Sequence, residues 1–490
     1  MEIVSEFVRE QKRYTKSDLK LIFRFSSDDV DKFIKNLKAF GVIKTVKNNS
    51  EQRELSDLID EDIELADVES GIDDYLYVFT YVGVITIGSR IIKCYPKYLL
   101  AETTPLEEMK QVLKVISRYG SKEQIINLYN GDAENSSFNI LAVILFLLND
   151  YYDYGVYNNS EDIIEVNGEG EILWDKTINE SFSIVSNNRP LYTELYTGKT
   201  VDDEFDFFKR LHECVLTECS KQLEVSDLLE LFDIVSVDLS EEVLDDFGDV
   251  DYILYRLQSE LNIQFNTRNQ ILLKTLFAYI AHNRTLEDNY GISMYGTNSF
   301  NLVWEDVCSE VFSNKLQISL GQLELPVPLL DVYQPTDKLI DIIKKPIWAG
   351  VKSDGGTFDK LAKETLIPDL ITIWQQGGAY QFIILDAKYY NIQLEEGKQL
   401  RGQPGVGDVT KQYLYQLAYK SFLTDHNING VRNCFLMPTQ SNDIVEKGVA
   451  KMDILSSLGL QDIQIRQLPA KTMYGYYLSR RTLDVSVLQL

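Results

Sequence analysis

The stretch PDLITIWQQGGAYQFIILDAKYY, residues 368 to 390, constrains the fold more than any other part of this sequence. Two runs of mainly apolar and β-branched residues flank a glycine pair, Gly377 and Gly378. Glycine supplies the positive φ angles that a two-residue hairpin turn needs. The sequence therefore predicts an antiparallel hairpin in which Gln376 pairs with Ala379.

The predicted register brings two acidic side chains face to face. Continued outwards, it places Asp369 opposite Asp386, at a Cβ separation of roughly 4.5 to 5.5 Å, where like charges are destabilising. Lys388 projects onto the same face, because side chains alternate along a strand. Two carboxylates beside one ammonium suit a hard cation with oxygen ligands and open water positions, such as Mg²⁺. A hairpin with only a local Asp–Lys salt bridge is the structural alternative.

Length and composition indicate an ordinary folded chain of several domains. The 490 residues predict about three domains. Hydrophobic residues make up 44% and charged residues 25%. No apolar run approaches the roughly 20 residues that span a bilayer, and acids stand where a secretion signal would be basic. Five cysteines without a C-x-x-C pair favour a cytoplasmic location. The sequence therefore predicts a cytoplasmic protein without a membrane partner.

Several kinds of catalysis have little support in the sequence. The three histidines, His212, His282 and His426, are far apart and form no zinc-binding or nucleophile-activating motif. No G-x-x-x-x-G-K-[ST] loop is present to hold nucleotide phosphates. If the activity requires nucleotide hydrolysis, a partner subunit is expected to supply it.

The net charge of −27 argues against a chain that coats itself in nucleic acid through bulk electrostatics. The acids are unevenly distributed. Residues 201–260 hold 18 acids against 4 bases, whereas residues 341–420, around the hairpin, hold 9 acids against 10 bases. The neighbourhood of the predicted site is therefore able to approach phosphate.

Residues 1–50 are predicted to form a winged-helix-like module. Apolar residues recur at helical spacing after Ser27, a predicted N-cap, and Gly41 follows as the C′ residue. The stretch GVIKTV then reads as a wing strand. Such modules usually bind DNA, but aspartates in the first turn of the second helix would repel phosphate, so DNA and protein contact both stay open. Residues 51–74 form an acidic linker.

The rest of the chain is predicted to change from helical to mixed structure. Residues 75 to 98 read as one β-hairpin with its turn at Gly88-Ser89, and residues 101 to 290 are mostly helical. Residues 75–290 are predicted as a β-hairpin plus a mainly helical partner-binding region.

Residues 291–490 are predicted as a separate domain that contains the hairpin. A helix over 298 to 316 carries Glu305 near its start. Beyond the hairpin come a glycine-rich segment, a helix capped by Asp408, and a strand over 431 to 438.

The order of these motifs resembles a known nuclease fold. The sequence runs from a helix with Glu305, through strands with Pro368-Asp369 and Asp386-Ala387-Lys388, to a helix with Lys411 and Gln412. This order resembles the α/β core of the PD-(D/E)XK nuclease superfamily. The stretches YVGVITIGSRIIKCYPK, GEGEILWDKTI and WEDVC also resemble the McrC-like nuclease subunits of LlaJI-type restriction systems.

The resemblance implies a multidomain α+β chain whose residues 291–490 form a restriction-endonuclease-like core. It implies that Asp369, Asp386, the Ala387 carbonyl and Glu305 ligate Mg²⁺, with Mn²⁺ as a substitute. Lys388 would orient or deprotonate the attacking water. The phosphate-contacting positions it implies on the following helix are Lys411 and Gln412.

The activity implied is that of a magnesium-dependent endonuclease subunit in a bacterial restriction system that defends against phage. Its implied partners are double-stranded DNA and a McrB-like AAA+ GTPase, through which alone GTP would act. A cognate DNA methyltransferase of the same system is a further candidate partner. Two alternatives stay open: a non-catalytic McrC-like activator of the GTPase, and a DNA repair nuclease of the same superfamily.

Overall fold

We analysed a computed structural model of the chain. It describes residues 3–25, 29–47, 75–101, 104–120, 139–158, 161–187, 189–201, 206–282 and 292–490. The predicted acidic linker and the predicted N-cap Ser27 lie outside these residues. The described part combines helices with several β-sheets, so the predicted mixed α+β, multidomain class is confirmed at that level.

The structure describes twelve α-helices, and six strands in the N-terminal part of the chain. The α-helices are α1 (Lys16–Ile22), α2 (Asp29–Ala39), α3 (Leu106–Gly120), α4 (Ile140–Tyr154), α5 (Trp174–Glu180), α6 (Phe207–Val225), α7 (Val250–Ile263), α8 (Thr267–His282), α9 (Phe300–Val311), α10 (Val406–Asp425), α11 (Asp453–Ser456) and α12 (Ala470–Leu478). The strands of the N-terminal part are β1 (Val4–Arg9), β2 (Arg13–Tyr14), β3 (Ile43–Lys47), β4 (Tyr75–Phe79), β5 (Val82–Ile87) and β6 (Arg90–Tyr95).

The remaining strands lie in the middle and C-terminal parts. They are β7 (Glu161–Val166), β8 (Glu171–Ile172), β9 (Ser183–Ser186), β10 (Arg189–Tyr192), β11 (Tyr196–Val201), β12 (Ile292–Thr297), β13 (Ile347–Val351), β14 (Thr357–Leu361), β15 (Leu370–Gln376), β16 (Ala379–Ala387), β17 (Gly430–Thr439), β18 (Val445–Ala450) and β19 (Ile463–Pro469). Short 3₁₀ helices occur at Leu244–Phe247, Leu320–Gln322, Leu339–Ile342 and Val485–Leu488.

The chain divides into two compact units. One comprises residues 137–293 with a short piece at 86–89, and its described part holds helices α4 to α8 and the small sheets β7-β11-β8 and β9-β10. The other comprises residues 2–85, 90–136 and 294–490. This division differs from the predicted boundaries, because the described residues 90–101 and 104–120 belong with the C-terminal strands rather than with the helical middle region.

The N-terminal module contains the two predicted helices, α1 and α2, and the predicted wing strand, β3. Gly41 ends α2 with a φ of +66°, a left-handed conformation that glycine adopts without strain. Strand β4 lies between β2 and β3 in an antiparallel sheet. The segment 75–98 is therefore not one hairpin as predicted, because β4 pairs with β3 while β5 and β6 enter a different sheet.

That second sheet has the order β1-β6-β5-β12. The turn predicted at Gly88-Ser89 is present between β5 and β6. Strand β1 pairs in parallel with β6, from Val4 opposite Arg90 to Arg9 opposite Tyr95. This pairing joins the first residues of the chain to a strand 80 residues away, a contact that local sequence patterns do not reveal.

The C-terminal part is built on a five-stranded mixed sheet of order β15-β16-β17-β19-β18. Strands β15 and β16 are antiparallel, β16, β17 and β19 are parallel, and β18 runs antiparallel at the edge. The predicted strand 431–438 lies within β17, and the predicted helix 298–316 is present as the shorter α9. Strands β15 and β16 of this sheet position the acidic residues of the candidate site.

Two further findings concern the cysteines and the possibility of a membrane-spanning helix. All five cysteines are buried, free thiols. Among the described residues, none of the helices combines the length and the apolar character needed to cross a bilayer.

Candidate active site

The predicted hairpin register is confirmed. Strands β15 and β16 pair from Gln376 opposite Ala379 to Leu370 opposite Leu385. Gly377 and Gly378 form the turn with φ angles of +59° and +83°, as a two-residue hairpin turn of this kind requires.

The register places Asp369 and Asp386 at the same end of the hairpin. Asp369 stands one residue before β15, and its Oδ2 accepts a hydrogen bond of 2.8 Å from the Ala387 N–H. Asp386 is only 3% exposed, near the end of β16. The backbone N–H of Ala387, the residue after Asp386, therefore holds the Asp369 carboxylate in place.

Lys388 faces the same site, as predicted. Its Nζ lies 3.0 Å from Asp386 Oδ1 and 3.0 Å from Asp408 Oδ1. The Lys388 N–H donates to the Leu436 carbonyl on β17, which continues the sheet beyond β16. The lysine is thus an ammonium shared by two carboxylates on different elements.

The electrostatics of the site follow from burial and like charge. Burial, and then the charge of Asp369, raise the pKa of Asp386 well above the usual range of a carboxyl group. Burial also raises the pKa of Asp369, and the Glu305 carboxylate adds to the shift. Burial opposes the charge of Lys388, but Asp386 and Asp408 outweigh it and raise the pKa of the ammonium. The site therefore concentrates negative charge around one cation.

Glu305 lies on α9, next to this pair. Burial, and then the charge of Asp386, raise its pKa. Helix α9 is fixed to the sheet by Trp304, which is fully buried and whose Nε1 donates to the Leu436 carbonyl at 3.0 Å. One carbonyl on β17, that of Leu436, therefore anchors both the helix that carries Glu305 and the strand end that carries Lys388.

The acidic side chains of the site provide a buried carboxylate oxygen that suits a hard cation. They do not form a complete set of metal ligands. Asp386 Oδ1 is buried without a hydrogen-bond partner, since Lys388 Nζ sits at ion-pair distance but outside hydrogen-bond geometry. A buried carboxylate oxygen next to a second acid suits a hard metal ion as a ligand. Within the described ranges, however, no three or more His, Cys, Asp or Glu side chains form a group that could hold a metal ion. The role of Glu305 as a further ligand therefore stays a prediction.

Helix α10 begins earlier than predicted, and this changes the role of Asp408. The helix starts at Val406, with Gly405 as its N-cap, so Asp408 is the third helical residue rather than the cap. Its Oδ2 accepts from the Gly405 N–H at 3.2 Å, while its Oδ1 faces Lys388. The glycine N-cap was missed because an aspartate three residues later looks like a stronger cap in sequence.

The two weaker site residues on α10 are placed differently from each other. Lys411 is exposed, whereas Gln412 is fully buried. The Gln412 Nε2 donates to the Ile384 carbonyl of β16 at 3.0 Å, and its Oε1 has no hydrogen-bond partner. Gln412 thus joins helix α10 to the strand that carries Asp386, and its predicted contact with phosphate stays untested.

Two positioning residues were not identified from sequence. Asn314 donates to the Asp369 carbonyl at 3.0 Å and accepts from the Ile371 N–H at 3.1 Å, which fixes the start of β15. The hydroxyl of Tyr415 donates to the Ile367 carbonyl at 2.9 Å. The sequence offers no signal for either residue, because both act across more than 45 residues of chain.

A buried polar cluster ties the N-terminal sheet to the strand end of the site. The Tyr389 hydroxyl donates to Glu10 Oε2 at 2.5 Å, and the Lys97 N–H donates to the same oxygen at 3.2 Å. Lys97 Nζ lies 4.4 Å from the Tyr389 ring centroid. Tyr389 directly follows Lys388, so Glu10 and Lys97 help to hold the strand end that carries Lys388.

The sequence is similar to that of known restriction enzymes. It is 27% identical over 414 residues to the Type II restriction enzyme BsuMI component YdjA of Bacillus subtilis (strain 168), covering 83% of this chain and 82% of that protein. Residues 81–471 match the LlaJI restriction endonuclease family. The chain belongs to that family.

Two solved assemblies from Thermococcus gammatolerans also align with the chain. One is a half-complex of McrB AAA+ hexamers with bound McrC, aligned over 99% of this chain and 96% of that chain at 12% identity and a TM-score of 0.36. The other is a McrBC complex, aligned over 61% and 84% at 13% identity and a TM-score of 0.24. TM-scores this low do not establish a shared fold.

Proposed function

We propose that this protein is a magnesium-dependent DNA endonuclease subunit of a bacterial restriction system, with a PD-(D/E)XK core. The observation that carries the proposal is the pair of opposed carboxylates, Asp369 and Asp386, with Lys388 on the same face. Membership of the LlaJI restriction endonuclease family supports the restriction role. The mixed sheet β15-β16-β17-β19-β18, with α9 and α10 carrying site residues, supports the proposed core.

In this proposal Asp369, Asp386 and the Ala387 carbonyl hold Mg²⁺, or Mn²⁺ in its place, with Glu305 as an additional acid. The bound metal would lower the pKa of a ligated water and polarise a phosphoryl oxygen. Asp369 is oriented for this task by the Ala387 N–H. The buried Oδ1 of Asp386, 3.0 Å from Lys388 Nζ, would supply a further ligand oxygen.

Lys388 supplies positive charge at the same centre. Its ammonium is held between Asp386 and Asp408. With Asp386 as a metal ligand, Asp408 would be the anion that keeps Lys388 in position. The lysine then orients the attacking water and stabilises charge that develops on the phosphate in the transition state. Asp408 is a positioning residue in this scheme.

The proposed partners are double-stranded DNA and a McrB-like AAA+ GTPase, with GTP acting only through that subunit. The sequence offers no phosphate-cradling loop of its own. The Bacillus relative is named as a component of its enzyme, which fits a division of labour among subunits. A DNA methyltransferase of the same system would protect host DNA.

Removal of the metal provides the functional test. Full-length protein, alone and with a co-encoded GTPase, is incubated with plasmid DNA in Mg²⁺ or in excess chelator. We expect cleavage in Mg²⁺ and none in chelator, because in the proposed mechanism the metal lowers the pKa of the attacking water and polarises the phosphoryl oxygen. If the partner hydrolyses GTP faster in the presence of this chain but no DNA is cut in either condition, the chain is a non-catalytic activator and the proposal is wrong.

A further inference from the structure

Strands β13 and β14 form a separate two-stranded ribbon that stands in solvent. They pair antiparallel from Ile347 opposite Leu361 to Val351 opposite Thr357. Every residue from 344 to 361 is exposed except the half-buried Gly350. Five residues at 3.3 to 3.4 Å each give strands of roughly 17 Å. None of the ribbon residues belongs to the candidate active site described above.

The ribbon is basic in a strongly acidic chain. Residues 344–363 contain five lysines and two aspartates, whereas the whole chain has a net charge of −27. All five lysines are exposed. They are Lys344, Lys345, Lys352, Lys360 and Lys363. An acidic partner surface is the complement of this local charge.

One face of the ribbon combines aromatic rings with ammonium groups. Trp348 pairs directly with Lys360, and Phe358 pairs with Gly350. The Phe358 ring covers Gly350, where a Cβ would come within 2.5 Å of it. Trp348 is 70% exposed. Exposed aromatic rings beside lysines suit a DNA duplex, because ammonium groups neutralise phosphates while apolar rings contact thymine methyl groups in the major groove.

The root of the ribbon is fixed to the hydrophobic core that packs on strands β15 and β16. The Ala362 N–H donates to the Pro346 carbonyl at 2.8 Å, which closes the ribbon at its base. Ile343 before the ribbon and Leu366 after it pack in a hydrophobic cluster that includes Ile371 of β15 and residues of β16. Asp369 follows a few residues later in the chain. The same hydrophobic cluster therefore supports the base of the ribbon and the strands that lead to the two carboxylates.

We propose that the ribbon Ile347–Leu361 is a contact for double-stranded DNA that enters a groove of the duplex. The major groove, about 12 Å wide, admits a two-stranded ribbon. The face that carries Trp348 and Phe358 then lies against the base edges, where apolar side chains contact thymine methyl groups. The inference rests on the proposed function in that this DNA is the substrate of the adjacent site.

Binding of the full-length protein to a fluorescent 30-base-pair duplex tests the inference, measured by anisotropy in chelator so that no cleavage occurs. The triple variant Trp348→Ala, Lys352→Gln, Lys360→Gln should bind at least about tenfold more weakly. Its dependence on salt should be shallower, because two phosphate contacts are lost. The matched control changes the same residue types at other exposed positions, Trp174→Ala, Lys221→Gln and Lys471→Gln, and should bind as the wild type does.

Asp386→Ala separates this inference from the proposed function, and it should bind DNA normally. A protein that binds DNA through the ribbon but never cleaves it would refute the nuclease and leave the ribbon contact intact. Wild-type affinity in the triple variant, with an unchanged melting temperature, would overturn the inference. So would a wild-type chain that shows no DNA binding, or a triple variant that changes only the oligomeric state.

Discussion

Asp386→Ala is expected to abolish DNA cleavage without lowering the melting temperature in the absence of metal. Asp386 is 3% exposed, faces Asp369, and has an Oδ1 without a hydrogen-bond partner. Removing it relieves repulsion and a desolvated charge, and Lys388 keeps Asp408 as its counter-ion, so the metal-free fold loses little. The same change removes a proposed metal ligand, and activity should fall to background. Differential scanning calorimetry and a plasmid cleavage assay measure the two effects.

Lys388→Ala is the companion variant, with the opposite effect on stability. Cleavage should again be lost, but Asp386 and Asp408 would lose their shared cation. Breaking a buried pair by removing one partner costs on the order of 3 to 5 kcal/mol. The melting temperature should therefore fall. If Asp386→Ala also produced a large fall, the two residues would form only a structural salt bridge. Wild-type cleavage by either variant would refute the proposed site.

Deletion of residues 1–100 is expected to prevent folding of the C-terminal part. Strand β1 pairs along its whole length with β6, and both lie in the compact unit that contains residues 294–490. The Tyr98 hydroxyl donates to the Tyr474 hydroxyl at 3.1 Å, and Tyr389 donates to Glu10. A truncated chain would leave the partners of these groups exposed.

The test compares full-length protein with residues 101–490 and residues 291–490, each purified in the same way. We expect a cooperative thermal transition and cleavage only for the full-length chain. As a milder control, Tyr389→Phe removes one hydroxyl and leaves the strands intact, so it should still fold. A cooperatively folded fragment 291–490 that nicks DNA would show that the N-terminal strands are dispensable.

The sequence was most informative where the determinants are local. The register of β15 and β16 follows from two glycines and an alternating pattern, so the meeting of Asp369 and Asp386 could be predicted from the amino-acid sequence alone. Alternation along the strand likewise predicted that Lys388 shares their face. These inferences needed only neighbouring residues and the geometry of a pleated strand.

Pairings between distant segments could not be predicted in the same way. The segment 75–98 has continuous strand propensity, but the break between β4 and β5 assigns it to two sheets. The partner of β6 is β1, which only the folded chain brings near. Asp408 was identified as a helix cap, yet its contact with Lys388 depends on how α10 approaches β16. Tertiary packing decides such contacts, and local propensity does not encode it.

A titration of the full-length chain with Mn²⁺, followed by electron paramagnetic resonance, tests the central claim most directly, because it requires neither turnover nor the GTPase. It is run in the presence of a short duplex with uncleavable phosphorothioate linkages. The wild type should show a saturable site that Asp386→Asn removes. Asp408→Asn, which makes the same change one ion-pair contact away, should retain it. No saturable site in the wild type, or a site that Asp386→Asn leaves unchanged, would contradict the assignment of the two opposed carboxylates as a metal centre.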